Sequence, residues 1–159
     1  MLPKFILYLT LCTSLVTYHF GTLSNPRLEQ LGHGYIQIYS TDSIHSPLAT
    51  RQQIATGYIY TTKSCNAEEL RNKLTHIDGE SIVLDTAIPA REILRILGYS
   101  IVGVQNTAQT QITYAFSNRA RDYITSNNTK INLQIAVTGD RVTVGWQFTP
   151  DRVELVWFT

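Results

Sequence analysis

Two alternating runs around one dipeptide constrain this chain more than anything else in it. Ile131, Leu133, Ile135 and Val137 alternate with Asn132, Gln134 and Ala136, and every second residue from Val142 to Phe148 is again large and apolar. Period two marks a half-buried strand. Gly139-Asp140 between the runs is a two-residue hairpin signal with glycine first. With those two residues as the loop, Val137 faces Val142, Ile135 faces Val144, Leu133 faces Trp146 and Ile131 faces Phe148. All the apolar side chains then share one face, whereas a one-residue slip would turn one strand's set to the other side. The chain is thereby committed to antiparallel sheet.

Other runs extend it. Pro150-Asp151 presets a type I bend, after which Val153, Leu155 and Trp157 continue the same face. Residues 110–116 alternate with Ile112, Tyr114 and Phe116 inward, and residues 35–39 and 57–60 read as further strands. Residues 40–56 between them are polar and aperiodic, and read as a loop with room for mobility. A sheet of at least four strands with one apolar face needs a cover, and two helices can supply it. Asn66 suits an N-cap, Glu68 and Glu69 suit a first turn, and Ala67, Leu70, Leu74 and Ile77 fall on one stripe ended by Gly79. The second helix has Pro89 in its first turn, Ala90, Ile93, Leu94 and Leu97 on one side, and Gly98 at the C′ position. Each helix is followed by the same short string, Gly79-Glu80-Ser81-Ile82-Val83 and Gly98-Tyr99-Ser100-Ile101-Val102. The expectation is an α+β fold: an antiparallel sheet with one face covered by two helices, after an N-terminal apolar leader.

That leader is residues 5–23, uncharged and strongly apolar, with Lys4 in front and Ser24-Asn25-Pro26-Arg27 behind. The order of charge, apolar stretch and polar boundary is that of an export signal. Nineteen residues also nearly suffice to cross a bilayer uncleaved, so residues 1–24 read as a signal peptide or membrane anchor. Residues 25–159 read as a single α+β domain, exported and extracellular or held at the outer face of the cytoplasmic membrane. Only Lys4 of the 13 Lys and Arg lies in the leader, so 12 basic and 12 acidic side chains remain. That balance gives little attraction for a phosphate backbone, and no nucleic-acid partner is expected. Membrane contact is expected only through residues 5–23.

Catalytic chemistry is hard to find. His33, His45 and His76 lack zinc spacing, and Cys65 alone outside the leader permits neither cysteine ligation nor an internal disulfide. Cys65 reads as a semi-buried spectator thiol. Asp42, Ser43 and His45 are too close in sequence for triad geometry. Asp78, Glu80 and Asp85 lack the spacing of a calcium loop and read as a solvated turn. No catalytic residue, metal or cofactor is expected. Asn127-Asn128-Thr129 is an N-glycosylation sequon. The positive signal is aromatic: Tyr35, Tyr39, Tyr58 and Tyr60, with Val156 and Phe158 on the face opposite Trp157, suit glycan stacking or a protein contact.

From the second helix onward a series of motifs stands together: Arg91-Glu92-Ile93-Leu94-Arg95-Ile96-Leu97-Gly98, Val102-Gly103-Val104, residues 111–117, residues 130–137 and Thr149-Pro150. In these the chain resembles the YwmB-like family of exported Gram-positive proteins. The resemblance implies a small exported α+β protein with two related halves, grouped by fold with TATA-box-binding proteins, and no catalytic residues. The leading expectation is a non-enzymatic domain binding a protein or glycan at the cell envelope. Two alternatives stay open. One is a membrane-anchored accessory subunit of an envelope or secretion machine. The other is a cell-wall hydrolase using paired carboxylates drawn from Glu80, Asp85 and Glu154.

Overall fold

The computed structural model describes residues 24–147, and among them ten strands and two α-helices. The strands are β1 (Gly34–Ser40), β2 (Thr50–Ile54), β3 (Gly57–Lys63), β4 (Gly79–Leu84), β5 (Ser100–Asn106), β6 (Thr110–Phe116), β7 (Ile124–Ser126), β8 (Thr129–Ile131), β9 (Leu133–Thr138) and β10 (Arg141–Gln147). The helices are α1 (Ala67–Arg71) and α2 (Ala90–Leu97), and a 3-10 turn spans Leu28–Leu31. Eight strands form one sheet in the order β2-β3-β1-β4-β10-β9-β6-β5, antiparallel at every ladder. β7 and β8 make a separate ribbon. The fold is α+β, mostly antiparallel sheet with two short helices.

The β9–β10 hairpin has the register its apolar pattern demands, with Val142 opposite Val137 and Val144 opposite Ile135. Gly139 turns at φ 61°, a conformation glycine adopts without a Cβ penalty. Opposite residues of a ladder share a face, so the first face carries Ile36, Ile38, Ile82, Leu84, Val142, Val144, Ile135 and Leu133. These residues form one buried cluster with Leu28 and Leu31 of the 3-10 turn, Ala67, Leu70 and Leu74, and Ile93 and Leu94 of α2. Trp146 is buried in the same cluster; Phe148 and the 150–151 turn lie outside the described residues.

Four expectations are corrected. Ile131 does not continue β9, because the run breaks at Asn132. That buried amide donates to the Ser117 carbonyl (2.8 Å) and accepts from the Ser117 N–H (2.9 Å), so Ile131 pairs instead with Ile124 in the ribbon. β6 keeps its bounds but shows the opposite face. Thr113 lies opposite Ile135 and Ala115 opposite Leu133, so Thr113 and Ala115 point to the core side and Ile112, Tyr114 and Phe116 away from it. Ladder register decided the facing there, since a shift by one residue would have broken the pairing with β9.

The first helix stops at Arg71 instead of running towards Gly79. The Asp42 carboxylate accepts from the N–H groups of Thr75 and His76, Ser40 Oγ donates to the His76 carbonyl, and the Asp78 N–H bonds Tyr39 O. Those bonds stitch residues 75–78 to the end of β1 and take up backbone groups that a longer helix would have used. Residues 40–56 are likewise not one loop. They contain β2, and their remainder is pinned: Tyr60 OH donates to Asp42 O (2.7 Å) and accepts from the Ile44 N–H (2.8 Å), while Thr62 Oγ1 donates to Leu48 O (2.7 Å). α2 conforms to expectation. Pro89 stands at its N-cap, and Gly98 closes it in the left-handed region at φ 76°.

Candidate functional site

Residues alternate along every strand of the sheet, so those between the core-facing ones point to a second face, and the composition of that face is unusual. One row crosses all eight strands: Thr50, Thr61, Gln37, Ser81, Gly145, Gln134, Tyr114 and Gly103. The next row is Lys63, Tyr35, Val83, Thr143, Ala136, Ile112 and Gln105. Amides, hydroxyls and tyrosines dominate. Among the described residues no strand residue on this face is acidic, and Lys63 and Arg141 are its two cations. β-branched and aromatic side chains favour strands for packing reasons, but Gln37, Gln134 and Gln105 stand on the face away from the core, polar groups on a sheet frame.

The face is partly pre-organised. Gln37 Oε1 accepts from Tyr39 OH (3.3 Å) and from Ser81 Oγ (3.5 Å), and Tyr114 OH donates to Gln105 Oε1 (2.9 Å). In the middle, Ser81 and Gly145 are small and buried, with half-buried Gln37 and Gln134 on either side. The arrangement offers paired hydrogen-bonding groups flanking a low centre, with the Tyr35 ring, 51% exposed, standing in the neighbouring row. Such a surface can recognise an uncharged polar ligand by amide and hydroxyl bonds plus ring stacking.

The four expected tyrosines are split between the two faces. Tyr35 and Tyr39 lie on the second face, Tyr58 and Tyr60 on the first. Tyr60 is fully buried and serves the loop described above, Tyr39 is buried, and Tyr58 lies half-buried beneath the Arg51 guanidinium at 5.1 Å. Val156 and Phe158 lie outside the described residues. Sequence reading missed Gln37, Gln134, Thr143 and Tyr114. For Gln37, Gln134 and Thr143 the signal is the complement of the apolar alternation, polar yet uncharged residues between the apolar ones; Tyr114 reads with the apolar set in the sequence and reaches this face only through the ladder to β9.

The acidic candidates have another role. Glu80 projects from β4 into the first face between Ile38 and Trp146, so it belongs to no solvated turn. Arg71 of α1 reaches it through Nε (2.5 Å) and Nη2 (3.0 Å), and grips Glu29 through Nη1 (2.7 Å) and Nη2 (2.6 Å). Burial pushes the Glu80 carboxyl above the usual range despite Arg71. Burial opposes ionisation of Glu29 too, but the Arg71 hydrogen bonds and charge outweigh it and hold that carboxyl below the usual range. The same two acids raise the Arg71 guanidinium against its own desolvation. One fork-shaped cation thus engages both oxygens of both acids, an arrangement suited to holding three elements together.

Asp85 is exposed and Glu154 lies outside the described residues. Asp42 bonds Thr75 and His76 and not His45; its carboxyl is held low by the His76 and Thr75 backbone N–H groups. Among the described residues no three His, Cys, Asp or Glu side chains converge to hold a metal. Cys65 is exposed, not semi-buried. The sequon sits at the tip of the β7–β8 ribbon, where Asn127 and Asn128 both turn at positive φ. No helix among the described residues is long and apolar enough to cross a membrane. Compared with known proteins, the chain matches no family model, no curated protein and no solved structure.

Proposed function

We propose that this chain is an exported, non-enzymatic domain that binds an uncharged glycan at the cell envelope through the second face of its sheet. The observation that carries the reading is the row of Gln37, Ser81, Gly145, Gln134 and Tyr114, uncharged throughout and flanked by an exposed tyrosine. Amides bind sugar hydroxyls in pairs, and a ring stacks on the C–H face of a pyranose. Among the described strand residues of this face a charged ligand would find only Lys63 and Arg141. On this reading the apolar segment 5–23 delivers the domain outside the cytoplasm or anchors it there. The helices and the 3-10 turn then cover the first face, leaving the second to the ligand. The likeness of the C-terminal half to exported YwmB-like proteins fits the same picture.

The test is retention on insoluble cell-wall polysaccharide and titration with soluble chito-oligosaccharides. Binding should be lost in Tyr35→Ala and weakened about tenfold in Gln134→Ala, as expected for one hydrogen-bonding group worth about 1.4 kcal/mol. Retention that both variants leave untouched would place the ligand elsewhere, and the absence of any glycan retention would overturn the reading.

A further inference from the structure

Two independent features meet at the C-terminal end of α2. The first is where the apolar segment joins the fold. Residues 5–23 carry no charge, and the next residue, Ser24, donates its backbone N–H to the Arg119 carbonyl (3.2 Å). The second is a stripe of cations. Ile93 and Leu94 turn one side of α2 into the core, while Arg91 and Arg95, one turn apart and both exposed, line an open groove with Pro89 and Glu92 on its outer side. One turn further on, Gly98 closes the helix, and the exposed Arg119 guanidinium lies against it: Nη1 would stand 3.8 Å from a Cβ placed there. Glu92 is the acid in the groove, 3.6 Å from Arg95, with both side chains at least half exposed. Three arginines against one glutamate therefore run along α2 to the point at which the apolar segment enters.

We propose that this arginine stripe is a membrane-docking surface, whose occupant is the anionic phospholipid headgroups around the apolar segment 5–23. That segment nearly suffices to cross the hydrocarbon. Ser24 is the first residue beyond it, so a chain anchored there holds Arg119 at headgroup level with Arg95 and Arg91 alongside. Stable attachment combines an apolar anchor with a basic patch, and the guanidinium fork matches phosphate oxygens. Attraction to an anionic surface fades within a Debye length, so closeness to the anchor is what gives the stripe its effect. A soluble anion would gain nothing from the apolar segment beside the stripe, whereas a lipid surface engages both. α2 packs on the first face of the sheet, so this orientation turns the polar second face away from the membrane. The proposal rests on the anchoring alternative of the reading above and not on glycan binding.

The experiment uses the full chain carrying Cys12→Ser and Cys65→Ser, reconstituted into phosphatidylcholine vesicles with and without phosphatidylglycerol. A fluorophore on Asn118→Cys, beside Arg119, should be at least about twofold less accessible to acrylamide, a neutral aqueous quencher, when phosphatidylglycerol is present, and high salt should restore its exposure. A fluorophore on Thr50→Cys, on the second face, should respond to neither. Replacing Arg91, Arg95 and Arg119 together by Gln should abolish the shielding, and replacing them by Lys should keep it, which separates charge from any change in folding. Equal accessibility at residue 118 in the two kinds of vesicle would overturn the proposal, as would shielding that the Gln variant retains. So would shielding in detergent without anionic lipid that Asp151→Asn with Glu154→Gln removes, which would assign the stripe to residues 148–159. A chain that fails to sediment with vesicles would also overturn it, while leaving glycan retention by the second face to its own test.

Discussion

β4 and β5 grow from nearly the same five residues and end in opposite surroundings. Each follows a helix and each draws on the string Gly-x-Ser-Ile-Val, which opens β4 and begins two residues before β5. β4 became a central strand, paired with β1 and β10, and five of its six residues are buried. β5 became an edge, paired only with β6 among the described residues, and six of its seven residues are exposed. Ile82 is wholly buried where its counterpart Ile101 is 55% exposed. Local propensity therefore made both segments strands, but the neighbours recruited by the rest of the chain decided what each strand was for. The second position of the string shows the same division. It is Glu80 in β4, clasped by Arg71, and Tyr99 before β5, where burial pushes the phenol up to about 12.

Matched substitutions test that contrast. Glu80→Ala should have the largest effect, about 3–5 kcal/mol, because it strips one partner from a buried ionic group and leaves Arg71 half-satisfied; Tyr99→Phe should change the urea midpoint little. Ile82→Ala should lose about 2–5 kcal/mol as a large-to-small core change, against no more than about 0.5 kcal/mol for Ile101→Ala on the surface. Equal losses for the two isoleucines in chemical denaturation would refute the contrast.

Acidity sharpens it with smaller shifts. Glu29 has its carboxyl depressed in the fold, so its contribution is present above the ordinary glutamate range and lost as pH falls through the depressed value. The advantage of the natural chain over Glu29→Gln should therefore shrink on acidification. Glu80 has the opposite sign. Its raised carboxyl means that the ionised form opposes folding, and protonation relieves that opposition. Relative to Glu80→Gln, the natural chain should gain stability as pH falls from neutral towards the ordinary range. Midpoints at several pH values that moved in the same direction for both pairs would dissolve the assignment. Smallest in energy is a difference in amide exchange: β4 amides should exchange only through global unfolding, and outward-facing β5 amides through local opening.

Much of this was legible in the residues, and the failures share a cause. The β9–β10 register could be read because glycine in the turn and apolar alternation on both sides demanded the same pairing. α2 could be read because Pro89 and Gly98 mark its ends locally. The facing of β6 could not, because Ile112, Tyr114 and Phe116 are greasier than Thr113 and Ala115, and only the ladder to β9 overrules that preference. The early end of α1 depended on Asp42, which lies 33 residues upstream of the Thr75 it bonds. Asn132 looked like the polar half of an alternation until Ser117 supplied both of its partners. The candidate site was half visible: Tyr35 stood out as an aromatic, but Gln37, Ser81, Gln134 and Tyr114 become a surface only once register aligns four distant segments.

The order of strands also sets a course for folding. Strands β1 to β4 occupy one half of the sheet, β5, β6, β9 and β10 the other, and one ladder joins them, β4 against β10. Within each half every ladder but β1–β4 joins residues fewer than thirty apart, so those loops close early, whereas β1–β4 spans 40 to 50 residues and Leu84 and Val142 must find each other across 58, the slow kind of closure. Two four-stranded pieces that form first and zip along a single seam last would leave, for a moment, two raw sheet edges in the middle of the molecule. That interval is when a newly made chain is most exposed to pairing with the wrong neighbour.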